Sequence, residues 1–376
     1  MVGTMALLHA FTRTARTPRT AAAPDAGRDL ATGLPADDEV LLDAPDDRLG
    51  PALVAAGRGE FTPAAALLAA TREAAEWEHR DRYAQRLAAF ARSRPEWFEE
   101  WCAAAPDDPD ALLLRARLAV DRVWESPARA ELLHPVGPLI AAAAEAGPRD
   151  PVPWRIALDH ARGTRAGSAA FEGLWAEAVR RCPHHYGSHV AALHYLAEVY
   201  GGTEGTAAAH RACLDFAEPA ADDAPPGSLL AALPLRAAYL CLSESGGRDA
   251  VPPQRLHAAA DRAIALSSSF PPAEVWPAPL RNLLVYVLIR LERWTDALEQ
   301  LRLTGPYATS FPWDRDCDDP LGRFLRVREE VRERAGGAGP GEGSGGRSGK
   351  GAGGGPLPRP RRSREARGGR VDFPGG

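Results

Sequence analysis

The sequence predicts an all-α protein, a series of helices set between two disordered ends. Three observations carry that expectation. Between about residue 37 and residue 335, apolar residues recur at helical spacing: Leu112, Ala116, Ala119 and Val123 share one face while Arg115 and Arg122 point away from it. β-Branched residues are scarce there, and no run alternates with period two. Breaks containing proline, aspartate or glycine punctuate the helical stretches at short intervals.

Residues 1–36 contain Thr-Arg-Thr, Thr-Pro-Arg-Thr and Ala-Ala-Ala-Pro-Asp stretches and little large apolar content, which predicts a disordered arm. Helices are expected over 61–75, 78–93, 95–104, 136–146, 152–162, 169–181, 187–199, 206–218, 228–243, 253–267, 278–291, 295–303 and 321–334, besides the stretch around 112–123. Residues 336–376 hold 16 of the 36 glycines and the run Pro356-Leu-Pro-Arg-Pro-Arg-Arg-Ser-Arg364. That composition cannot bury enough apolar surface to offset ordering entropy, so a disordered basic tail is expected. The folded part is therefore placed at 37–335.

The chain has 376 residues, 45% apolar and 25% charged, room for two or three domains or one repeat array. Lys350 is the only lysine among 45 basic residues and Asn282 the only asparagine, the skew of a GC-rich genome. Arginine richness is therefore no evidence for nucleic acid. Net charge is −5, divided as about +5 on residues 336–376 and −10 on the rest. An acidic body argues against a nucleic-acid-binding domain and leaves only weak contact through the tail. No apolar run approaches the ~20 residues of a membrane helix, so no membrane partner is expected. The apolar Met5–Phe11 stretch precedes Arg13, Arg16 and Arg19, the reverse of a secretory signal. Cys102, Cys182, Cys213, Cys241 and Cys317 are odd in number and form no CxxC pair, which reads as reduced thiols in the cytoplasm.

An internal repeat is visible at helix ends. Ala143, Ala178 and Ala220 each precede a proline by five positions, at Pro148, Pro183 and Pro225, and Pro106 and Pro271 extend the series to spacings of 42, 35, 42 and 46. A small residue on the last turn permits close helix approach, and proline ends the helix. With Asp108-Pro-Asp110, Arg149-Asp-Pro151, Trp154 and the Leu291–Leu298 turn, residues 95–305 resemble the tetratricopeptide repeat family, as divergent helical repeat proteins of high-GC bacteria do. The sequence departs from it in carrying Glu292 where the turn usually has glycine, Trp101 and Leu266 in small-residue places, and units longer than the usual ~34 residues.

The resemblance implies an α-solenoid of antiparallel helix pairs whose first helices line a concave groove. Counting forward from each proline places Leu113, Arg117 and Asp121; Arg155, Asp159 and Arg162; Val190, His194 and Glu198; Arg236 and Tyr239; and Asn282 and Tyr286 along it. The row is polar and of mixed charge, suited to a peptide with backbone groups and a charged end. The implied function is a non-enzymatic scaffold for a protein or peptide partner, with no cofactor. Reversing the charges of Arg155 and Arg162 together is expected to weaken binding at little loss of stability.

An enzyme is the alternative. Cys182, His184, His185, His189 and His194 form the densest group of potential ligands; His185, His189 and His194, with Glu198 four residues beyond, are the metal candidates. There is no HExxH and no GxSxG. The paired aspartates lack a third at DDxxD spacing. Asp314, Asp316 and Asp318 begin like a calcium loop, but the sixth position is Asp319 and the twelfth Leu325. An acidic turn capping the next helix is expected there.

Overall fold

The computed structural model describes residues 28–29, 33–244, 247–315 and 317–336, and over this length the chain is all-α. The helices are α1 (Leu49–Ala56), α2 (Thr62–Glu73), α3 (Trp77–Ser93), α4 (Glu96–Ala104), α5 (Pro109–Val123), α6 (Arg129–Leu133), α7 (Gly137–Ala146), α8 (Val152–Gly163) and α9 (Ser168–Arg181). They continue as α10 (Tyr186–Thr203), α11 (Thr206–Asp222), α12 (Leu233–Ser243), α13 (Pro253–Ser267), α14 (Ala278–Arg290), α15 (Trp294–Thr304), the single turn α16 (Ser310–Trp313) and α17 (Pro320–Gly336). Every expected helix is present, although the one expected over 228–243 opens as a 3₁₀ turn, Leu229–Ala232. α1, α6 and α16 were not expected; each is too short to carry a full apolar period.

Local chemistry sets the boundaries. Asp108 starts α5 by accepting from the backbone N–H groups of Asp110 and Ala111 at 2.8 and 3.0 Å. Asp319 caps α17 through the Gly322 N–H at 2.8 Å, the acidic turn foreseen near residue 321. Pro106, Pro148, Pro183, Pro225 and Pro271 each follow a helix end closely. At the last of these, the buried Arg281 donates to the carbonyls of Ser267, Phe270, Pro271 and Leu303, and so satisfies groups that the end of α13 leaves open.

The helices following these prolines pack in succession. α3 touches α5, α5 touches α8, and the row runs on through α10 and α12 to α14. α7, α9, α11 and α13 each pack against the two row helices that flank them in sequence, and α15 packs against α14 and α17. Polar links repeat at matching intervals: Arg117 to Asp159, Arg236 to His194, Arg255 to Asp215 and Arg262 to Asp222 span 42, 42, 40 and 40 residues. The buried apolar side chains form two clusters. One is built on Tyr83, Leu87, Trp97, Trp101 and Leu114, the other on Leu158, Leu193, Leu233, Leu284 and Phe324. Each fully buried large side chain stabilises the fold by about 1.5–3 kcal/mol relative to exposure.

Besides the helices, the described residues include four two-residue strand pieces, too short to alternate. β1 (Arg28–Asp29) pairs antiparallel with β2 (Leu34–Pro35), and β3 (Leu41–Leu42) pairs parallel with β4 (Tyr307–Ala308). The second pairing joins the two ends of the array. Beside it, the Ser310 N–H donates to Asp43 at 3.1 Å and Arg328 donates to the Pro35 carbonyl. Arg82 of α3 lies 3.6 Å over the Trp276 ring and donates to the Trp276 carbonyl, while His79 stacks on the same ring. The row thus curls until its last helices meet its first. Leu34, 1% exposed, packs in the second cluster, so the folded part begins before residue 37. The tail expected to be disordered lies, after Gly336, outside the described residues, as does nearly all of the N-terminal arm.

Candidate functional site

The inner faces of α5, α8, α10 and α12 meet at one cavity of about 840 Å³. Spacings of three and four residues put side chains on a common helix face. α5 contributes Arg117 and Asp121; α8, Arg155, Asp159 and Arg162; α10, Val190 and His194; and α12, Arg236. Eight of the groove residues counted from the prolines, Arg117, Asp121, Arg155, Asp159, Arg162, Val190, His194 and Arg236, therefore line it. Glu198 stands at the edge, half exposed, with its carboxylate 3.8 Å from Arg162.

Asp159 is the hub. It is 8% exposed and lies 3.2 Å from Arg117, 3.2 Å from Arg155 and 3.9 Å from Arg162. Burial alone would push its pKa up, but Arg155 and then Arg117 and Arg162 overcome that and hold it below the usual carboxylate range. Arg117 also grips Asp121 at 2.6 Å. Arg155 reaches Asp81 of α3 at 3.6 Å, and Gly187 of α10 approaches this carboxylate so closely that a Cβ there would stand 2.2 Å from its oxygen. Reversing Arg155 would set three buried acidic groups against one another. The expectation that Arg155 and Arg162 can be reversed at little loss of stability is corrected accordingly.

Arg236 differs. Its Nη2 donates to His194 Nε2 at 3.3 Å, and its guanidinium lies 4.2 Å over the Phe311 ring. Among the described residues no carboxylate forms an ion pair with it, and its buried Nε has no acceptor. Burial, then the charges of Arg236 and Arg162, lower His194 to about 3, so it stays neutral and accepts at Nε2.

Four expected groove residues lie elsewhere: Leu113 is buried in the first apolar cluster, and Tyr239, Asn282 and Tyr286 pack under residues 307–313. Tyr239 is 4% exposed and packs edge-on against Phe311 and Tyr286. Asn282 is fully buried. Its amide donates to the Ala278 and Tyr307 carbonyls and accepts from the Thr309 N–H and Trp313 Nε1–H, anchoring residues 307–313 to α14. The row turns away from the cavity here because this segment covers α14.

The three metal candidates are also separated. His185 Nδ1 is paired with the buried Ser188 hydroxyl at 2.9 Å, His189 Nδ1 with the His185 carbonyl at 3.0 Å, and His194 with Arg236. Among the described residues no group of three or more His, Cys, Asp or Glu side chains is arranged to hold a metal ion. The sequence Asp81, His185, Ser188 has the order of a nucleophile-activating relay, with His185 Nε2 3.7 Å from Asp81. His185 and Ser188 are 0% exposed, so that hydroxyl meets no substrate.

Several lining residues escaped the sequence reading, four of them shared with a second cavity. Gln85 and Arg86 come from α3, upstream of the first counted proline; Asp43 and Phe311 come from the non-helical ends. The Arg82, Arg86 pair at i, i+4 on α3 was the available signal. These residues also line an adjoining cavity of about 370 Å³, which shares Arg155, Val190 and Arg236 with the larger one. No family model, no curated protein and no solved structure matches the chain.

Proposed function

We propose that the chain is a non-enzymatic binding module, a divergent tetratricopeptide-like α-solenoid of antiparallel helix pairs that takes a short protein or peptide segment into its concave side. The observation that carries this reading is the convergence of residues from four inner helices, each about one 35- to 46-residue repeat apart in the sequence, on one cavity. Roughly 40-residue intervals between polar links support the repeat. A volume near 840 Å³ lies in the range of about 300–1,000 Å³ typical of pockets that enclose small ligands, so the occupant is a few residues and not a long helix. Asp121 and Glu198 offer acceptors for backbone N–H groups, and the arginines offer donors for carbonyls and carboxylates. The five cysteines are free thiols, which favours a reducing compartment, and we place the protein in the cytoplasm.

A library of short peptides titrated onto the purified chain tests this. A binder is expected to lose at least tenfold in affinity in Arg117→Gln and Arg162→Gln, unfolding midpoints being compared in parallel, and to ignore a chelator. Unchanged binding in both variants would remove the cavity from the account. A melting temperature raised by zinc or nickel, and lost in His194→Gln, would favour the metal-dependent enzyme instead.

A further inference from the structure

The two adjoining cavities differ in character. The larger is ringed by paired charges, whereas the smaller has an apolar wall that includes Leu229, Ala232, Val275, Leu280 and Leu283. Arg236 belongs to both. We propose that the ligand carries a single carboxylate joined to an apolar group, the carboxylate bound by Arg236 and the apolar group seated in the smaller cavity. This rests on the binding-module reading and names the chemistry of its occupant.

Charge pairing selects Arg236. Arg86, Arg117, Arg155 and Arg162 each have a carboxylate partner in the fold, and Arg82 is engaged by the carbonyl and ring of Trp276. Arg236 has the neutral His194 ring, Phe311 and Tyr239 against it, while Asp314, the carboxylate that acts on it from the wall of the larger cavity, stands beyond ion-pair distance. A buried guanidinium with no carboxylate in contact favours an anionic ligand, and its planar donors match the two oxygens of a carboxylate. The acids nearby, Asp314 on the wall of the larger cavity and Asp46 and Glu78 on that of the smaller, disfavour a dianion, which favours a carboxylate over a phosphate. Stacking on Phe311 fixes the plane of the guanidinium, so little freedom is lost on binding.

The acids that line the smaller cavity are already engaged. Asp43 holds Arg86 and Ser310, Asp46 accepts from Tyr83 and from the backbone at Leu49, Glu78 accepts from the Tyr186 N–H at 2.7 Å, and Asp81 holds Arg155 and Gln85. With the lining carboxylates paired and the apolar wall unpaired, the small cavity accepts a branched or aromatic group. A volume near 370 Å³ has room for a ring or a leucine-sized chain.

Calorimetric titration of the full chain tests the proposal with 3-phenylpropionate and 4-methylpentanoate, their amides, acetate, inorganic phosphate, and short peptides ending in Phe or Leu with free or amidated C-termini. The apolar acids, or the peptides with free ends, are expected to bind at least tenfold more tightly than the matching amides, acetate or phosphate. Arg236→Gln is expected to abolish that preference, and Arg236→Lys to keep part of it. Ala232→Leu, which adds bulk to the apolar wall of the smaller cavity and keeps the guanidinium, is expected to block the phenyl and branched probes. Tighter binding of the peptides identifies a chain terminus as the source, and tighter binding of the free acids identifies a small organic acid. Equal affinity for acids and amides, or an unaltered preference in Arg236→Gln, would overturn the inference. Peptides bound with sensitivity to Arg117→Gln but not to Arg236→Gln would overturn it and leave the binding module standing. No binding by any probe or library peptide would overturn both.

Discussion

Arg80 shows how a single side chain ties this fold together. It is 1% exposed and reaches Asp150 at 2.5 Å, Asp110 at 2.6 Å and the Leu68 carbonyl at 2.8 Å, which joins α3 to the starts of α5 and α8 and to α2. Methionine at this position would leave Asp150 buried without a cation and Asp110 with Arg72 alone. Arg80→Met is expected to destabilise the protein by about 3–5 kcal/mol in a urea titration; a loss below about 1 kcal/mol would show that water or a rearranged side chain replaces the guanidinium. A second residue-scale effect is acid sensitivity. His189, held among Trp175 and Phe216, is lowered by burial to about 4, and His194 to about 3. Both lie below the unfolded value near 6.5, so the unfolded chain takes up protons that the folded one refuses. Their contribution is complete above pH 6.5 and drains away as the pH falls towards 4. His189→Asn is expected to flatten the plot of stability against pH between 6 and 4.5 by up to about 1.4 kcal/mol per pH unit. His194, which opens on the cavity, is expected to contribute less. An unchanged slope would mean that His189 titrates normally.

At the scale of elements, legibility followed period. Helices of nine residues or more carry a full apolar repeat, and all of these were visible in the sequence. Proline spacing then fixed which turn of each inner helix faces the cavity, because counting from a helix end avoids the variable loops. It failed at α14 for a physical reason: Asn282 occupies the counted place, but residues 307–313 lie across it, and nothing in a local pattern reports a contact made from 25 residues downstream. The two-residue strands carry no periodic signal at all. Glu292, at φ 61° in the turn between α14 and α15, adopts the left-handed conformation for which the family resemblance expected glycine. Asn282→Ala would orphan the Thr309 N–H and the Trp313 indole N–H together. A loss of about 2 kcal/mol or more is expected, with hydrogen exchange at 307–313 accelerating ahead of the rest of the chain. Exchange spread evenly over the molecule would refute a local anchoring role.

The whole molecule depends on contacts that composition could not announce. An acidic, alanine-rich helical body was legible from charge and pattern, yet its curvature was not, because closure rests on a few long-range pairs: Arg82 with Trp276, β3 with β4, Asp43 with Ser310. Those pairs draw the two ends of the row together and bring Asp43, Arg86 and Phe311 to the wall of a half-open cavity. Arginine excess, uninformative as a count, becomes specific in place: most of the inner arginines are paired within the fold, and Arg236 has no carboxylate in contact. The central claim, that this inner face is where a partner segment binds, is tested most directly by hydrogen exchange of the full chain with and without a saturating peptide. Protection is expected at 117–121, 155–162, 190–198 and around 236, with the outer helices α9, α11 and α13 unchanged; protection confined to those outer helices would contradict the claim.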